Sequence, residues 1–339
     1  MLSNIIATQY KTLASGQVFK AEFVDGVCKV RNSFEQELIL KASEDNNALL
    51  INVSKLDDRR DDEFLFTAVE YLLGHNIHLT TVKISNAIKE YSSDLLLQKY
   101  FLVDGDLLSF TRGEFFQLGG SWYKERDQKL SPEKYTETNG RVHPVRVDVQ
   151  SGVLYSRYVP QIQKTLSFRM IDIQADLGIF HEWHNQPRVA NFWEMAQPKA
   201  ELQAFIEKNL KDPHALPMIA ECDGVPVGYF ELYWTREDRL APYYESESWD
   251  RGFHFLIGAT EFLGFNNTDA MLRSLTHFLF LDDRRTRKIM AEPRSDNTKV
   301  LKYVETFTAW RKLYEFDFPH KRSALLECTR ERMFGGIYL

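Results

Sequence analysis

One histidine stands in the middle of a short aromatic run that could carry proton-transfer chemistry. The run extends from Arg251 to Gly258, and its composition predicts a strand. Because side chains two apart share a face of a strand, His254 is predicted to face a cleft, and Phe253, Phe255 and Ile257 the core. A histidine can take up or release a proton near neutral pH. The alternative is a core histidine whose ring nitrogens bond to the backbone.

A carboxylate flanked by tyrosines is the second candidate. The alternation of residues 225 to 234 predicts a strand after a turn at Asp223-Gly224. Tyr229, Glu231 and Tyr233 then share one face. Glu231 among rings could bind a protonated amine. The alternative is a sheet-edge glutamate that faces water.

A third group lies where a predicted helix ends. His184 closes an apolar helical face, and Pro187 stops the helix soon afterwards. Asn185, Arg188 and Trp193 follow, in a loop that could shape a binding site. Arg188 could hold a carboxylate, and its alternative role is a surface ion pair.

Length, charge and cysteines narrow the class of protein. A chain of 339 residues predicts two domains, and its net charge of −6 offers no overall basic field for nucleic acid. Three cysteines without metal-type spacing predict free thiols and no metal site. No segment resembles a membrane span or a leader peptide, so a cytoplasmic protein is expected.

The order of predicted elements indicates an α+β fold with a largely antiparallel sheet. In the second half a strand is followed by helices, three strands, a helix, a strand, a helix and a strand pair. The first half repeats the later part of this order, including a helix over 87–100, which suggests an internal pseudo-repeat. We therefore expect a domain over 1–118, a polar connecting segment over 119–165 and a second domain over 166–339.

The second half resembles the GNAT superfamily, and within it the hydroxamate-siderophore acyltransferases that act on N-hydroxylysine. The resemblance covers about half of the chain. It rests on six ordered blocks, of which Leu166 to Arg169 is the first. The other five are Trp183 to Val189 with Phe192 to Glu194, Tyr229 to Trp234 with Glu237 to Arg239, Asp250 to Gly258, Ala291 to Asn297 and Glu315 to Ser323.

The resemblance implies a GNAT fold in the second domain and a degenerate, structural copy in the first. In the first copy the corresponding loop, Lys55 to Glu63, is rich in carboxylates that would repel a pyrophosphate. In the second, acyl-CoA would lie along the His254 strand and at the start of the next helix. The loop there has a single glycine, with Leu263 where a basic residue is common. The implied CoA-binding residues are Leu256, Ile257, Gly258, Gly264, Asn266, Asn267, Thr268 and Asn297.

In this loop Gly264 permits close approach, and Asn267 or Thr268 could cap the helix that follows. The resemblance further implies that Asp296 orients His254 as the catalytic base, and its alternative role is to cap the helix that begins at Asn297. Lys321 and Arg322 could contact CoA phosphates, close the acceptor tunnel or belong to a solvated charge run. The implied substrate-binding residues are His184, Asn185, Arg188, Trp193, Glu231 and Tyr233.

The function implied is direct acyl transfer, with acetyl-CoA as the favoured cosubstrate, to the hydroxylamino nitrogen of N6-hydroxylysine, hydroxyputrescine or hydroxycadaverine. Under this hypothesis a rate unchanged across neutral pH would remove His254 from the mechanism. Two rivals are a general GNAT acting on another amine and a non-catalytic CoA-binding protein. The donor could also be succinyl or longer. The charged first domain could cover the sheet or pair two copies, which leaves a homodimer open.

Overall fold

The computed structural model describes residues 2–13, 15–57, 62–85, 102–104, 107–124, 133–146 and 151–339. The helix predicted over 87–100 lies outside these residues. The chain divides into two compact units, one of residues 1–124, 156–163 and 334–339, and one of residues 125–155 and 164–333. Among the described helices, none combines the length and apolar character that a bilayer crossing requires.

The first unit is built on an eight-stranded sheet with the order β1-β2-β3-β4-β5-β6-β8-β7. Its neighbouring strands are antiparallel except for β5 and β6, which are parallel. Helix α1 (Asp62–His75) connects this parallel pair, and the short α2 (Arg112–Phe115) follows β8. The strands are β1 (Ile5–Lys11), β2 (Val18–Val24), β3 (Val27–Asn32), β4 (Glu37–Asp45), β5 (Ala48–Leu56), β6 (Thr81–Ser85), β7 (Leu102–Asp104) and β8 (Leu107–Thr111).

A second eight-stranded sheet has the order β11-β12-β13-β14-β15-β16-β18-β17. Its strands are β11 (Val153–Val159), β12 (Lys164–Met170), β13 (Ala215–Cys222), β14 (Val225–Trp234), β15 (Arg251–Ile257), β16 (Lys288–Ala291), β17 (Trp310–Asp317) and β18 (Arg322–Thr329). The helices are α3 (Ile173–His184), α4 (Pro187–Trp193), α5 (Lys199–Lys211), α6 (Phe265–Asp282), α7 (Thr298–Thr306) and α8 (Arg330–Gly335). Pro187 does more than end α3, because it also begins α4 at a position where its missing N–H costs no hydrogen bond.

The two sheets share one topology, which confirms the predicted pseudo-repeat. Each sheet has the same strand order, and each has its parallel pair at the fifth and sixth strands, β5 with β6 and β15 with β16. The copies differ after their second strand. A tight turn at Asp25-Gly26, with both residues at positive φ, joins β2 to β3. In the second copy, α3, α4 and α5 occupy that connection and supply walls for a site.

The predicted connecting segment, 119–165, contains regular structure that the sequence analysis missed. Strands β9 (Tyr135–Thr138) and β10 (Arg141–Pro144) form an antiparallel hairpin, and β11 and the start of β12 follow. The hairpin turns at Asn139-Gly140, both at positive φ, which is a strong turn signal in a sequence. It was missed because β9 is exposed on nearly every residue and lacks apolar alternation.

Candidate active site

A wedge opens where the two parallel strands of the second sheet separate. Strand pairing between β15 and β16 is found at Arg251↔Ile289 and Gly252↔Met290. Strand β16 then ends at Ala291, whereas β15 continues to Ile257. A cavity of about 420 Å³ occupies the space beside the unpaired part of β15. The edge of this strand therefore forms one wall of the cavity.

The cavity reaches both faces of the sheet. On one side it is lined by His254, Glu231 and Trp193, three of the expected site residues. Phe253 and Phe255, which were predicted to lie in the core, line it as well, and Phe253 packs edge-to-face on the Trp310 ring. The prediction holds for Phe253 and Ile257, which are buried, whereas Phe255 is only partly buried at the cavity. Where the neighbouring strand ends, both faces of β15 border the same space.

His254 lies between two carboxylates. Its Nδ1 is 3.4 Å from Oε1 of Glu231, and its Nε2 is 2.9 Å from Oε1 of Glu292. Burial alone would lower the pKa of His254, but Glu292 and Glu231 outweigh it and raise that pKa to about 10. Both ring nitrogens then carry protons at neutral pH. A one-residue base, as predicted from the sequence, does not fit this resting arrangement.

Glu292 is the site residue that the sequence analysis did not single out. Its carboxylate is buried and accepts hydrogen bonds from His254 and, at 2.8 Å, from the Tyr233 hydroxyl. Burial opposes its ionisation, yet His254 and then Lys321 lower the pKa of Glu292 to about 2. A glutamate directly after β16, the parallel neighbour of the His254 strand, is the sequence feature that could have revealed it.

Gly252 allows this arrangement by its lack of a side chain. A Cβ atom at this position would lie 2.3 Å from the Tyr233 ring. The ring therefore packs directly on the backbone of β15, and its hydroxyl reaches Glu292. Tyr233 was predicted to bind substrate. In the structure it is a buried support for Glu292.

Asp296 takes a different place from the predicted partner of His254. Its carboxylate is exposed and forms a 2.8 Å ion pair with Arg294. The alternative role as a helix cap is also wrong, because the side chain of Asn297 accepts the hydrogen bond from the N–H of Val300 at the start of α7. Glu292 occupies the position beside His254 that was predicted for Asp296. Asn297 also lines the cavity.

Glu231 is held in the cavity wall by neighbouring polar groups. Asn209 on α5 donates a hydrogen bond of 3.1 Å to its Oε2, and the Tyr229 hydroxyl lies 3.4 Å from the same atom. Burial would raise the pKa of Glu231, but hydrogen bonding and attraction from His254 lower it. The carboxylate is therefore ionised and faces the cavity, which contradicts the alternative of a water-facing edge residue.

His184 and Asn185 support the cavity wall. In the part of the chain that the structure describes, neither side chain lines the cavity itself. His184 is fully buried, its Nδ1 lies 2.9 Å from the Phe180 carbonyl, and its ring packs on Trp193. Burial lowers the pKa of His184, so it is neutral. Asn185 ends α3 and donates hydrogen bonds to the carbonyls of His181 and Gln197. Trp193, which His184 supports, does line the cavity.

Arg188 does not have the predicted role of holding an acceptor carboxylate. Its guanidinium donates to the carbonyl of Ile257 at 2.7 Å and to the carbonyl of Gly258. The carbonyl of Gly258 also accepts from Gln186, and its N–H donates to Val227 at 2.9 Å. These bonds tie α4 to the end of β15. Both backbone groups of Gly258, a predicted CoA ligand, are thus in use.

Replacement of Arg188 by methionine is expected to raise the KM for acyl-CoA more than the KM for the acceptor. The substitution removes two charge-assisted hydrogen bonds to β15, so the free energy of unfolding should fall by about 1.5 to 3 kcal/mol. Urea unfolding and the two KM values measure these effects. A selective rise in the acceptor KM would instead restore the role predicted from the sequence.

The start of α6 leaves amide groups available beyond β15. The helix begins at Phe265, after Gly264 at φ 139°, and no side chain caps it. The prediction that Asn267 or Thr268 caps the helix is therefore wrong, because both lie inside its first turn. An uncapped helix start presents free N–H groups to an anion. Leu256 packs in the apolar core under α3 and α5.

Arg251 anchors the narrow end of the wedge. It is fully buried, donates a 2.6 Å hydrogen bond to Asp282 at the end of α6, and lies over the Trp234 ring. A buried guanidinium requires such partners, since an unpaired charge in the interior is very costly. Arg251, the first residue of the run from Arg251 to Gly258, therefore has a structural role.

A group of possible metal ligands lies elsewhere, although the sequence predicted no metal site. Atoms of His143, His214 and Glu237 lie within 4.8 Å of one another. Glu237 is bound by Arg146 through two 2.6 Å hydrogen bonds, and His214 Nδ1 lies 2.7 Å from its Oε1. His143 is 2.9 Å from both the Pro144 carbonyl and the Thr138 hydroxyl. The group thus forms a hydrogen-bonded ion-pair network.

Comparison with known proteins gives a consistent result. The acetyltransferase (GNAT) domain family matches residues 172–318. A Schizosaccharomyces pombe protein provisionally named as a lysine N-acyltransferase is 33% identical over 308 residues, 89% of this chain and 90% of that protein. The N(6)-hydroxylysine O-acetyltransferase of Escherichia coli is 36% identical over 67% of this chain and 72% of its own length. The N(5)-hydroxyornithine:cis-anhydromevalonyl coenzyme A-N(5)-transacylase of Beauveria bassiana is 37% identical over 60% of this chain and 45% of its own length.

Proposed function

Because this chain belongs to the GNAT acetyltransferase family and is an acyltransferase, we propose that it acylates the hydroxylamino nitrogen of an N-hydroxylated amine. The acceptor is N6-hydroxylysine or an N-hydroxylated diamine, acetyl-CoA is the favoured donor, and the hydroxamate product serves siderophore assembly. The observation that carries the proposal is the row Glu231–His254–Glu292 beside an open wedge. The names of the hydroxylysine and hydroxyornithine relatives support the acceptor class.

The donor would occupy the wedge and the side of the sheet that α6 and α7 cover. The pantetheine would run along the open edge of β15, and the pyrophosphate would bind the uncapped start of α6. The donor would be held by the backbone around Leu256 and Ile257, by the turn of Gly264, Asn266, Asn267 and Thr268, and by Asn297, which lines the cavity. Phe253 and Phe255 would then contact the acyl end of the donor.

The acceptor would enter from the other face, past Trp193, with its nitrogen beside Glu231 and His254. With His254 protonated and both glutamates ionised, the three groups carry a net charge of −1 and can take up one proton as a unit. Attack by the neutral nitrogen forms the new C–N bond and leaves a proton on that nitrogen. We assign uptake of this proton to the three-residue unit, which passes it to the CoA thiolate released when the C–S bond breaks, so that CoA leaves as the thiol and the unit regains its starting charge.

Positioning would provide most of the acceleration. A neutral hydroxylamine nitrogen is already a good nucleophile, so holding it against the thioester matters more than activating it. The developing oxyanion would accept hydrogen bonds from backbone N–H groups near Leu256 or Ile257. The transfer is direct, and no covalent enzyme intermediate is required.

The chemistry would belong to the second copy of the fold alone. In the first copy a tight turn replaces the helices that wall the site, and the sequence after β5 is rich in carboxylates from Asp57 onward, of which residues 58–61 lie outside the described part of the chain. These carboxylates would repel the CoA pyrophosphate. We therefore assign a structural role to the first copy.

Mixing the protein with acetyl-CoA and N6-hydroxylysine or N-hydroxycadaverine is expected to release free CoA thiol and form a hydroxamate. A thiol reagent and the colour of the ferric hydroxamate complex measure the two products independently. Lysine and cadaverine are the matched controls, because they lack only the hydroxyl group. Equal turnover of the parent amines would favour a general amine acetyltransferase, and binding of CoA without thiol release would favour a non-catalytic protein.

A further inference from the structure

Cationic side chains gather around a single ring at the cavity. Lys321 Nζ and the Arg239 guanidinium each lie 5.5 Å from the centroid of the Phe318 ring, and the His320 ring stacks on the same ring. Arg239, His320 and Lys321 all line the cavity. Phe318 therefore acts as a platform that holds three basic groups on the wall that also carries Glu292.

Two of these groups are cations that form no ion pair with a carboxylate of the described residues. Lys321 donates a 2.9 Å hydrogen bond to the backbone carbonyl of Glu292, and Arg239 forms no ion pair with any described residue. Burial lowers the pKa of Lys321, Glu292 and Asp238 raise it by attraction, and Arg239 and Arg294 lower it by repulsion. Arg294 differs, because it is paired with Asp296. Two neighbouring cations on a cavity wall, neither of them held in an ion pair by a described residue, attract an anionic ligand.

The place of these cations relative to His254 limits what the anion can be. Glu292 joins them, since its carboxylate contacts His254 and its carbonyl accepts from Lys321. The cations are thus separated from the reacting centre by the length of one glutamate residue. An acceptor whose nitrogen lies at His254 would reach them with the far end of a short methylene chain.

We propose that Arg239 and Lys321 bind the carboxylate of the acceptor, so that this protein acts on an N-hydroxylated amino acid of the N6-hydroxylysine class in preference to an N-hydroxylated diamine. This proposal rests on the proposed function. Glu194, which lines the same cavity and attracts Arg294 and His320, is placed to bind the α-ammonium group. A diamine has no carboxylate to bind them, so the half-buried Lys321 and the exposed Arg239 would contribute nothing to its binding.

The test compares N6-hydroxylysine with N-hydroxycadaverine, which is the same molecule without its carboxylate. In the wild type, kcat/KM for hydroxylysine should exceed that for hydroxycadaverine by about 10- to 100-fold. Arg239→Met should remove most of this preference by lowering only the hydroxylysine value. Lys321→Met should lower the hydroxylysine value more than the hydroxycadaverine value, because Lys321 also attracts Glu292. Arg322→Gln is the matched control, because Arg322 neighbours Lys321 but is exposed and paired with Glu315. It should leave the preference unchanged.

Other outcomes would overturn the proposal in distinguishable ways. Equal losses for both acceptors would mean that Arg239 and Lys321 are structural, and Arg239→Lys, which keeps the charge, would then fail to rescue hydroxylysine selectively. A rise in the KM for acetyl-CoA that vanishes with the 3′-dephospho donor would assign the cations to a CoA phosphate. Thiol release with neither hydroxylamine in the wild type would instead defeat the proposed function itself.

Discussion

Replacement of His254 by glutamine is expected to lower kcat roughly 100- to 1,000-fold without abolishing turnover. Glutamine can still donate a hydrogen bond to one carboxylate, but it carries no charge and cannot move a proton. Glu231 and Glu292 would then face each other across the site without the imidazolium between them. Their mutual repulsion raises the energy of the ionised pair and weakens its capacity to position the acceptor.

Residual turnover is expected because the substrates are positioned by other parts of the site than His254. The wedge, the edge of β15 and the ring of Trp193 remain in the variant, so both substrates can still be brought together. The acceptor nitrogen requires little activation. We therefore expect the KM for acetyl-CoA to change little. Single-turnover formation of hydroxamate, measured with the ferric complex, separates the chemical step from product release.

Asp296→Asn is the matched comparison for His254→Gln. The sequence pattern predicted Asp296 as the partner of His254, whereas the structure places Glu292 there and leaves Asp296 exposed beside Arg294. We expect Asp296→Asn to stay within about two-fold of the wild type, as surface substitutions commonly do. A loss for Asp296→Asn comparable to that for His254→Gln would refute the assignment of Glu292.

The pH dependence of the rate also has a different meaning once the structure is known. From the sequence, a rate unchanged across neutral pH would exclude His254 from the mechanism. With a pKa of about 10, His254 does not titrate in the neutral range at all. A flat profile there is now the expected result for the wild type as regards His254.

The alkaline limb of the pH–rate profile reports the ionisation of His254. Glu292→Gln should shift this limb towards neutral pH, since Glu292 is the main group that raises the pKa of His254.

The sequence was informative where local patterns decide the structure. Alternation, helical spacing and the Asp-Gly turns predicted most strands of the second sheet, the pseudo-repeat, and the neighbours with which His254 and Glu231 each share a face of their own strand. These features depend on residues close together in the chain. Blocks of residue types also identified the family, which the comparisons confirm.

Contacts between distant residues could not be predicted in the same way. Arg188 looked free to bind a ligand, but its carbonyl partners at Ile257 and Gly258 are backbone groups that every sequence contains. The role of Glu292 depends on how far β16 extends beside β15. The placement of Phe253 and Phe255 depends on where that pairing stops. Each of these is decided by the separation of two strands, a property of the folded sheet.

Raising the pH from about 7 to about 9 is expected to lower the free energy of unfolding through His254 by about 1.4 kcal/mol for each pH unit. The pKa of His254 is about 10 in the folded protein, whereas a histidine in an unfolded chain has the ordinary value of 6.5. The folded chain therefore keeps a proton that the unfolded chain loses. The stabilisation is fully present below pH 6.5 and is lost as the pH rises through the folded value of about 10.

Urea unfolding of the wild type and of His254→Gln at both pH values isolates this contribution, because the other titrating groups are common to both proteins. The free energy of unfolding of the wild type should fall over this range. That of the variant should fall less, and the difference between the two decreases should be nearly the whole contribution of His254. Identical slopes would mean that His254 is neutral in the folded protein. Such a result would return it to the role of a simple base, because a neutral imidazole between Glu231 and Glu292 would have a nitrogen lone pair available for the proton of the acceptor. Stability and mechanism thus depend on the same proton.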